Sequence, residues 1–561
     1  MEFQGKTVHL SEVVTRRGGK TYRSFYLRHA YRENGRIKKE TLLKLTPEEA
    51  ERFQAVFGAP RIAPGMPIGI AESVPHGDAA AVLAMAKQCG LAEALSDRRS
   101  SDRKLAMGLI MAQLLNPGSK VSHADYLSES RLLSSLGIEL GLGEVHENDL
   151  YESLDWLGRR QAKVEAKLAA KHLKEGGIVL YDSSSSYFEG TQCPLARRGY
   201  SRDHRRDLPQ VNYGLLCSEE GCPVAVEVFE GNVNDVKTLP TQVQKLKERF
   251  GLKRMVVVGD RGMVTSVAIR QELTEAGFGW ITALRHAAIA KLHRANIIMP
   301  SLFDEQNLAE VSSPSYPGER LVVCFNPFTK ERNQATRGSL IACTQRGLAQ
   351  VMARIHQKRK PLRGKGEIGI AAGAVLSQFK VQRYFKLQIE DDAMTFELRQ
   401  DVLDQEARLD GIYVVRTTVP VEEMNPEQVR ANYLSLSRVE RAFRCLKSVD
   451  LQIRPIRHHL EHRVRAHVFL CMLAYYLEWH LRQAWVDLIQ EPHPHKEGQR
   501  QRRRRRRGDV DIPPHSFRAI LKMLRSQSRN RLRIGEQVQE ASVISDPTSI
   551  QAKALRLVGA A

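Results

Sequence analysis

Between residues 177 and 285, short apolar runs alternate with amphipathic stretches, and two of these runs end in an aspartate. The runs "GIVLYD", "VNYGLLCS" and "CPVAVEVF" predict three strands, the last two joined as a hairpin. A helix, the strand "RMVVVGD", a second helix and the strand "FGWITALR" follow. The order β-β-β-α-β-α-β predicts an α/β fold in which an antiparallel hairpin extends a parallel core.

A chain of 561 residues is long enough for several domains. Alternating polar and β-branched residues around an "NG" turn signal predict strands near the N-terminus, whereas helical periodicity dominates from about residue 77. The predicted parts are a small basic β-rich unit (1–60), a helical, DNA-binding domain (77–174), the α/β core (175–285 and 408–485), a mixed α/β insertion (286–407), and a basic, partly disordered tail with one helix (490–561).

The charge of the chain favours a polyanionic partner. Lys and Arg number 85 against 64 Asp and Glu, which gives a formal net charge of +21. The basic residues are densest in four segments, and we expect these to share contacts with DNA. They are residues 1–48, 197–206, 356–365 and 502–507.

No part of the sequence suggests a membrane span or a secretion signal. The apolar run from Val468 to Leu477 has ten residues, where a span needs about 20. We therefore expect a cytoplasmic protein. Cys217 and Cys222 bracket a turn, but no second pair or His-x3-His lies near them in sequence, so free thiols are favoured over a zinc site.

Asp182 and Asp260 each end an apolar predicted strand. Ends of core strands are where open α/β sheets place ligands and catalytic groups. The alternative for each residue is an ordinary aspartate that starts a turn. The four serines after Asp182 have no Gly-x-Ser-x-Gly context or paired histidine, so we expect turn or strand-edge residues rather than nucleophiles.

A third acid, Glu440, lies on one face of a predicted helix that begins with Asn425 as N-cap and Pro426 as its first residue. The position of Glu440 on this face predicts that core residues surround it. An unpaired carboxylate in such a place is costly unless a cation lies next to it. The alternative is that Glu440 lies at the margin of the apolar face and bonds to Arg444, four residues later. The positions that share this face are Tyr433, Leu436, Glu440, Phe443 and Lys447.

Arg430, Arg441 and Arg444 project beside the edge that carries Glu440. A row of cations next to a carboxylate suits the path of a phosphodiester backbone, and its alternative is a solvated charged flank. Three hard oxygen ligands on two strands and one helix suit a pair of Mg²⁺ ions. Trp280 is a candidate for stacking on a base, although an aromatic residue on a strand is more often part of a core.

These motifs resemble those of DDE transposases from bacterial insertion sequences, in the subgroup marked by a Tyr-Arg-Glu-Lys signature. "YDSSSSYFEG" is similar to the first-Asp motif, "VVVGDRGM" to the second-Asp motif, and "YLSLSRVERAFRCLK" has the Glu-to-Lys spacing of the signature at Glu440 and Lys447. "GYSRDHRRDLPQVNYGLL" and "EGNVNDVKTL" also resemble segments of the family. The sequence departs from the signature at Leu436, where the family has its arginine; Arg438, Arg441 and Arg444 are the candidates for that role.

The resemblance implies a ribonuclease-H-like core, interrupted by the insertion domain, that cleaves DNA at the ends of an insertion sequence and joins the 3′-OH ends to target DNA. It implies Asp182, Asp260 and Glu440 as ligands of two Mg²⁺ ions, for which Mn²⁺ could substitute. It also implies a homodimer on double-stranded DNA, in a nucleoid-associated bacterial protein. The alternatives are a nuclease without strand transfer and a catalytically inactive DNA-binding regulator. The implied DNA contacts are Tyr433, Arg438, Arg441, Arg444 and Lys447.

Overall fold

A computed structural model of the chain describes most of the sequence and divides it into two compact units. The first unit comprises residues 1–88, 119–147 and 481–561, and the second comprises 89–118 and 148–480. The described residues are 2–3, 6–17, 20–33, 36–50, 68–261, 263–264, 267–303, 306–489, 515–534 and 537–560.

Strands and helices are numbered here in chain order. The strands are β1 (Glu2–Phe3), β2 (Lys6–Arg17), β3 (Lys20–Glu33), β4 (Arg36–Leu45), β5 (Ile68–Pro75), β6 (Ile178–Tyr187), β7 (Gln210–Ser218), β8 (Pro223–Glu230), β9 (Val256–Gly259), β10 (Gly279–Ala283), β11 (Leu308–Val311), β12 (Arg320–Phe325), β13 (Phe385–Ile389), β14 (Met394–Leu398), β15 (Ile412–Thr417), β16 (Ser528–Ile534) and β17 (Gln537–Ile544). The helices are α1 (Gly77–Gln88), α2 (Leu91–Leu95), α3 (Ser101–Leu115), α4 (Lys120–Leu127), α5 (Leu136–Leu140), α6 (Glu147–His172), α7 (Leu239–Gln244), α8 (Val267–Glu275), α9 (His286–Arg294), α10 (Pro327–Ile355), α11 (Lys365–Phe379), α12 (Gln400–Ala407), α13 (Pro426–Leu434), α14 (Leu436–Arg444), α15 (Glu461–Ala484), α16 (Phe517–Arg525) and α17 (Ser549–Leu557).

The first unit contains two sheets. Strands β1 to β4 pair in sequence order as an antiparallel sheet, which confirms the β-rich N-terminus; the turn residues 34–35 lie outside the described residues. The second sheet has the order β17-β16-β5. The one helix predicted for the tail 490–561 covers "SFRAILKMLRSQSRNRLR", and it was wrong in its second half, because β16 pairs with β5, a partner that is distant in sequence.

The second unit is built on an eight-stranded mixed sheet with the order β11-β12-β15-β10-β9-β6-β7-β8. Strand β6 pairs parallel to β9 and β9 parallel to β10, whereas β6-β7 and β7-β8 are antiparallel. The predicted β-β-β-α-β-α-β order is therefore confirmed, including the hairpin that extends a parallel core. Strands β6, β7 and β9 are almost entirely buried.

Residues 286–407 contribute both to this sheet and to a separate core. Strands β11 and β12 join the sheet because β12 pairs with β15. Helices α10 and α11 pack with the β13-β14 hairpin around a second apolar cluster that includes Leu348, Ile368 and Ala372. The predicted tract Arg502–Arg507 lies outside the described residues. The helices predicted over 77–174 are present, but they are divided between the two units.

The helix that carries the third acid begins as predicted. Asn425 forms a capping box with Gln428, and Pro426 occupies the first turn. The single long helix expected here was wrong: α13 ends at Leu434, α14 begins at Leu436, and a π-helical turn follows over Cys445–Val449. No helix formed by the described residues is long and apolar enough to cross a membrane.

Candidate active site

The pairing of two parallel strands brings Asp182 and Asp260 together. Tyr181 on β6 pairs with Gly259 on β9, and this is the last pair between the two strands. Asp182 is the next residue of β6 and Asp260 directly follows the end of β9, so the two occupy neighbouring positions at this end of the strand pair. Asp182 is half-buried and Asp260 is exposed. The two aspartates are close enough for the charge of Asp260 to act on Asp182.

Strand β6 continues through the serine run instead of turning after Asp182. Ser183 to Ser186 are buried and pair with β7, which corrects the expectation of a turn. The pairing with β9 has already ended at Tyr181, so this stretch of β6 is an edge on that side only. Side chains alternate along a strand, and Ser184 and Ser186 therefore share the face of Asp182.

Helix α14 packs on that same face of β6. The Phe443 ring lies 5.8 Å from the ring of Tyr213, which is paired with Ser184. Glu440 is nevertheless exposed, so the prediction that it sits among core residues was wrong. The buried stripe of α14 is narrower than expected and passes beside Glu440, leaving its carboxylate free to face the two aspartates. The stripe consists of Leu436, Val439, Ala442 and Phe443.

The three acids influence one another electrostatically. Burial raises the pKa of Asp182 to about 7, and the charges of Asp260 and Glu440 contribute to the rise. The backbone amide of Ser183, which donates to Asp182 Oδ1 at 2.7 Å, opposes it together with Arg202. A buried carboxyl with a raised pKa and charged neighbours is a candidate functional group.

Tyr433 lies at the same site. Burial raises the pKa of its hydroxyl to about 12, and the charges of Asp260 and Glu440 add to this effect while Arg261 opposes it. The tyrosine therefore remains protonated at neutral pH and can donate a hydrogen bond. The sequence grouped Tyr433 with Glu440 on one helix face, and the structure brings both residues to the aspartates.

An ion-paired bridge supports β6 on the opposite face of the strand. Ser183 Oγ donates to Asp235 Oδ1 at 2.7 Å, and Arg202 Nη2 lies 2.6 Å from Asp235 Oδ2 and 3.1 Å from Ser183 Oγ. Two loops, one before β7 and one after β8, are thereby attached to the strand segment that carries Asp182. The arginine also places a positive charge near the acids.

Lys447 is engaged in a second ion-paired group. Its side chain is 11% exposed, its ammonium lies 3.1 Å from Asp203 Oδ1, and Arg454 bonds to the same carboxylate. The Asp203 side chain is 1% exposed and also accepts from the backbone amide of Tyr187. Burial lowers the pKa of Lys447, and Asp203 opposes this change. The lysine predicted to contact DNA thus anchors the loop before β7 in this structure.

The three candidate arginines lie at different places. Arg438 donates to the carbonyl of Glu219 in the β7-β8 turn, which is the end of the sheet away from Asp182. Arg441 and Arg444 are exposed on α14. Trp280 is 1% exposed within β10 and has the Arg416 guanidinium over its ring at 5.0 Å, so it belongs to the core and is not available for base stacking.

Sequence reasoning gave Arg202 only a share in the DNA contacts expected of segment 197–206, and it assigned no role to Asp203, Asp235 or Arg454. The available signal was the unusual density of alternating charges in "SRDHRRD" and an aspartate directly after the "EGNVN" loop. Charged residues in such loops are normally solvated, and only the structure shows that these pack onto β6.

The three acids do not form one closed set of ligand atoms. Among the described residues, two groups of three potential metal ligands have their ligand atoms within 4.8 Å of one another: His172, Cys222 and His480, and Cys445, Asp450 and Glu478. Asp182, Asp260 and Glu440 are more widely spaced.

Comparison with known families decides the identity. A family described as "Transposase DDE domain" matches residues 174–477, more than half of the chain. The chain belongs to the DDE transposases. Residues 10–58 match "IS1634 family transposase, N-terminal domain", so this transposase is that of an insertion sequence.

No curated protein matches the sequence of the transposase. A solved structure, "Cryo-EM structure of piggyBac transposase synaptic complex with hairpin DNA", aligns with a TM-score of 0.30 and 10% identity, over 80% of this chain and 82% of that one. A similarity this low does not establish a shared fold.

Proposed function

We propose that the transposase cleaves DNA at the ends of its insertion sequence and joins the freed 3′-OH ends to target DNA, with Asp182, Asp260 and Glu440 as its catalytic acids. The observation that carries the proposal is their arrangement: two acids follow the last residue pair of β6 and β9, and the charge of the third raises the pKa of the first. The strand order β8-β7-β6-β9-β10 supports a ribonuclease-H-like core, with residues 286–407 as the insertion domain.

The donor set fits two Mg²⁺ ions, with Mn²⁺ as a substitute. All three groups are carboxylates, the ligands that hard cations prefer, and the pKa of Asp182 is raised mainly by burial, with a further contribution from the charges of Asp260 and Glu440. When bound, such a pair of ions activates the attacking oxygen and stabilises the leaving oxygen of an in-line displacement.

The residues of the chain hold the acids and the DNA in position. Strand β6 and the Ser183 amide fix the carboxylate of Asp182, and the protonated Tyr433 hydroxyl is placed to donate to a phosphate oxygen. Water attacks the phosphodiester at the element end, and the 3′-OH that is released attacks the target strand. No covalent enzyme intermediate is required.

The DNA path runs along the exposed side of α14. Arg441 and Arg444 are exposed there beside Glu440 and would contact phosphates. Arg438 and Lys447 complete the set carried over from the family, and each would have to leave the protein partner that it has in the structure. Because two element ends must be joined, the active form is a homodimer on double-stranded DNA, associated with the bacterial nucleoid.

Single alanine replacements of the three acids test the proposal. Asp182→Ala, Asp260→Ala and Glu440→Ala should each abolish Mg²⁺-dependent cleavage of an element end while leaving end binding unchanged in a mobility-shift assay. Cleavage at the normal rate in any one variant would remove that residue from the site. Wild-type products that are nicked but never joined to target DNA would favour a nuclease, and the absence of nicking would favour a regulator.

A further inference from the structure

A histidine-cysteine cluster lies away from the carboxylates. His172 ends α6, Cys222 follows the β7-β8 turn, and His480 lies on α15; their ligand atoms are all within 4.8 Å of one another. The turn lies beyond Ser218, which pairs with Val179, three residues before Asp182. At roughly 3.3 Å per residue the cluster is therefore about 10 Å or more from the catalytic acids along β6.

Both imidazoles are in the form that binds metals. Burial lowers the pKa of His172, and it lowers the pKa of His480 to about 4, so the rings are neutral at pH 7 and each has a nitrogen lone pair. Nε2 of His480 is buried and has no hydrogen-bond partner among the described residues. A buried ring nitrogen without a partner is uncommon, and a bound ion is one of the few explanations for it.

The cluster is held in place by its surroundings. The Tyr476 hydroxyl lies 3.0 Å from His172 Nε2, and the Tyr476 ring packs edge-on against His480 at 4.6 Å between centroids. The backbone carbonyl of Cys222 accepts from the Ser218 amide, which fixes the turn that carries the thiol. A hydrogen bond that orients a histidine ring is a regular feature of metal sites in proteins.

We propose that His172, Cys222 and His480 bind a zinc ion that is distinct from the catalytic metals. Thiolate and imidazole ligands favour zinc, whereas Mg²⁺ prefers oxygen, so the two kinds of site select different ions. Burial raises the pKa of the Cys222 thiol and lowers that of His172, and the carboxylate of Glu220 acts on both groups, so it contributes negative charge near the site.

The ion joins three segments that are far apart in sequence. It links the end of α6, the β7-β8 turn and α15, each of which packs in the second unit. A site of this kind stabilises the folded state because the unfolded chain lacks it. The sequence missed it because Cys222 has no histidine near it along the chain; both partners come from distant helices.

Cobalt titration of the metal-free, full-length transposase tests the proposal. One equivalent of Co²⁺ should give a sulfur-to-cobalt charge-transfer band, Zn²⁺ should displace it, and a large excess of Mg²⁺ should not. Cys222→Ser should lose the band. His480→Gln should weaken Co²⁺ binding by more than the roughly 10- to 100-fold expected for loss of a group that only orients a ligand.

The control is Cys217→Ser, which alters a buried cysteine of β7 that is outside the cluster and should keep the band. Zn²⁺ should raise the unfolding temperature of the wild type and of Cys217→Ser, but not that of Cys222→Ser. Should Cys222→Ser fail to fold, the wild-type titration and His480→Gln still decide. A wild type without a charge-transfer band, or a His480→Gln variant with unchanged affinity, would overturn the proposal.

Discussion

At the scale of single residues, Asp203 is the most enclosed of the charged side chains around the candidate site. It is 1% exposed, and its carboxylate bonds to Lys447 at 3.1 Å and to Arg454. Removing one member of a buried ion pair is far more costly than removing an exposed pair, because the remaining charges lose their compensation. The stability of this loop should therefore depend on Asp203 more than on any solvated neighbour.

We predict that Asp203→Asn lowers the free energy of unfolding by about 3 kcal/mol, since Lys447 and Arg454 would then face each other without a counter-charge. Urea unfolding of the purified protein measures the change. Asp207→Asn is the matched control: it alters an exposed ion pair of the same loop, where solvent screens the interaction, and should cost much less than Asp203→Asn. Equal losses in the two variants would contradict this account of Asp203.

At the scale of loops and helices, the two loops that carry Arg202 and Asp235 cross closely at a pair of glycines. A Cβ atom on Gly199 would lie 2.0 Å from the carbonyl oxygen of Gly231, a contact that only backbone movement can relieve. We predict that Gly199→Ala destabilises the protein by about 1–3 kcal/mol and also slows cleavage, because the bridge to Ser183 would shift.

The control for that variant is Gly373→Ala. This residue lies within α11, and an added Cβ would meet nothing within 4 Å. The substitution should be neutral or stabilising by up to about 1 kcal/mol, because alanine favours the helix. Thermal unfolding and an end-cleavage assay compare the two variants. Loss of cleavage in both would show that the effect is not specific to the loop crossing.

An ion pair between α6 and α15 makes stability depend on pH. Arg463 Nη2 lies 2.9 Å from Asp155 Oδ2, and this bond lowers the pKa of Asp155 below its unfolded value of about 3.9. The contribution is therefore fully present above about pH 4 and is lost as the pH falls through the lower folded pKa. Asp155→Asn should cost about 1 kcal/mol at pH 7, and the difference from wild type should disappear in acid.

Urea midpoints measured between pH 3 and pH 7 provide the test. Asp97→Asn serves as the control because Asp97 pairs with Lys167 at 2.8 Å on a fully exposed surface, where solvent screens the interaction. A difference between Asp155→Asn and wild type that stays constant across this pH range would mean that the ion pair does not contribute through its charge.

Local patterns predicted the strands and the helix start well, and tertiary contacts decided the rest. The order of β6 to β10 and the Asn425 cap follow from apolar runs and capping chemistry, which depend on near neighbours. The exposure of Glu440 depends on which stripe of α14 meets β6, and the pairing of β16 with β5 joins distant segments. No sequence pattern confined to one helical turn or one hairpin predicts either feature.

At the scale of the whole molecule, the dominant property is its positive charge. The net charge of +21 is distributed over several segments, including the exposed loop residues Lys358, Arg359 and Lys360 and the tract Arg502–Arg507, which lies outside the described residues. Each phosphate that a cationic side chain neutralises releases condensed counterions from duplex DNA. The affinity for DNA should therefore depend on salt more steeply than a single contact site would produce.

We predict that a plot of log affinity for an element end against log salt concentration has a slope steeper than about −5, since each neutralised phosphate contributes about −0.9. Fluorescence anisotropy between 50 and 200 mM salt, roughly the range over which such effects are resolved, measures it.

Replacing Lys358, Arg359 and Lys360 with glutamine should reduce the slope if that loop contacts DNA, and replacing the arginines of 502–507 should reduce it further. Asp182→Ala is the control, because loss of a proposed catalytic acid removes no positive charge and should leave the slope unchanged. A slope near zero in the wild type would mean that the charge of the transposase does not act on DNA, and the phosphate path along α14 would have to be abandoned.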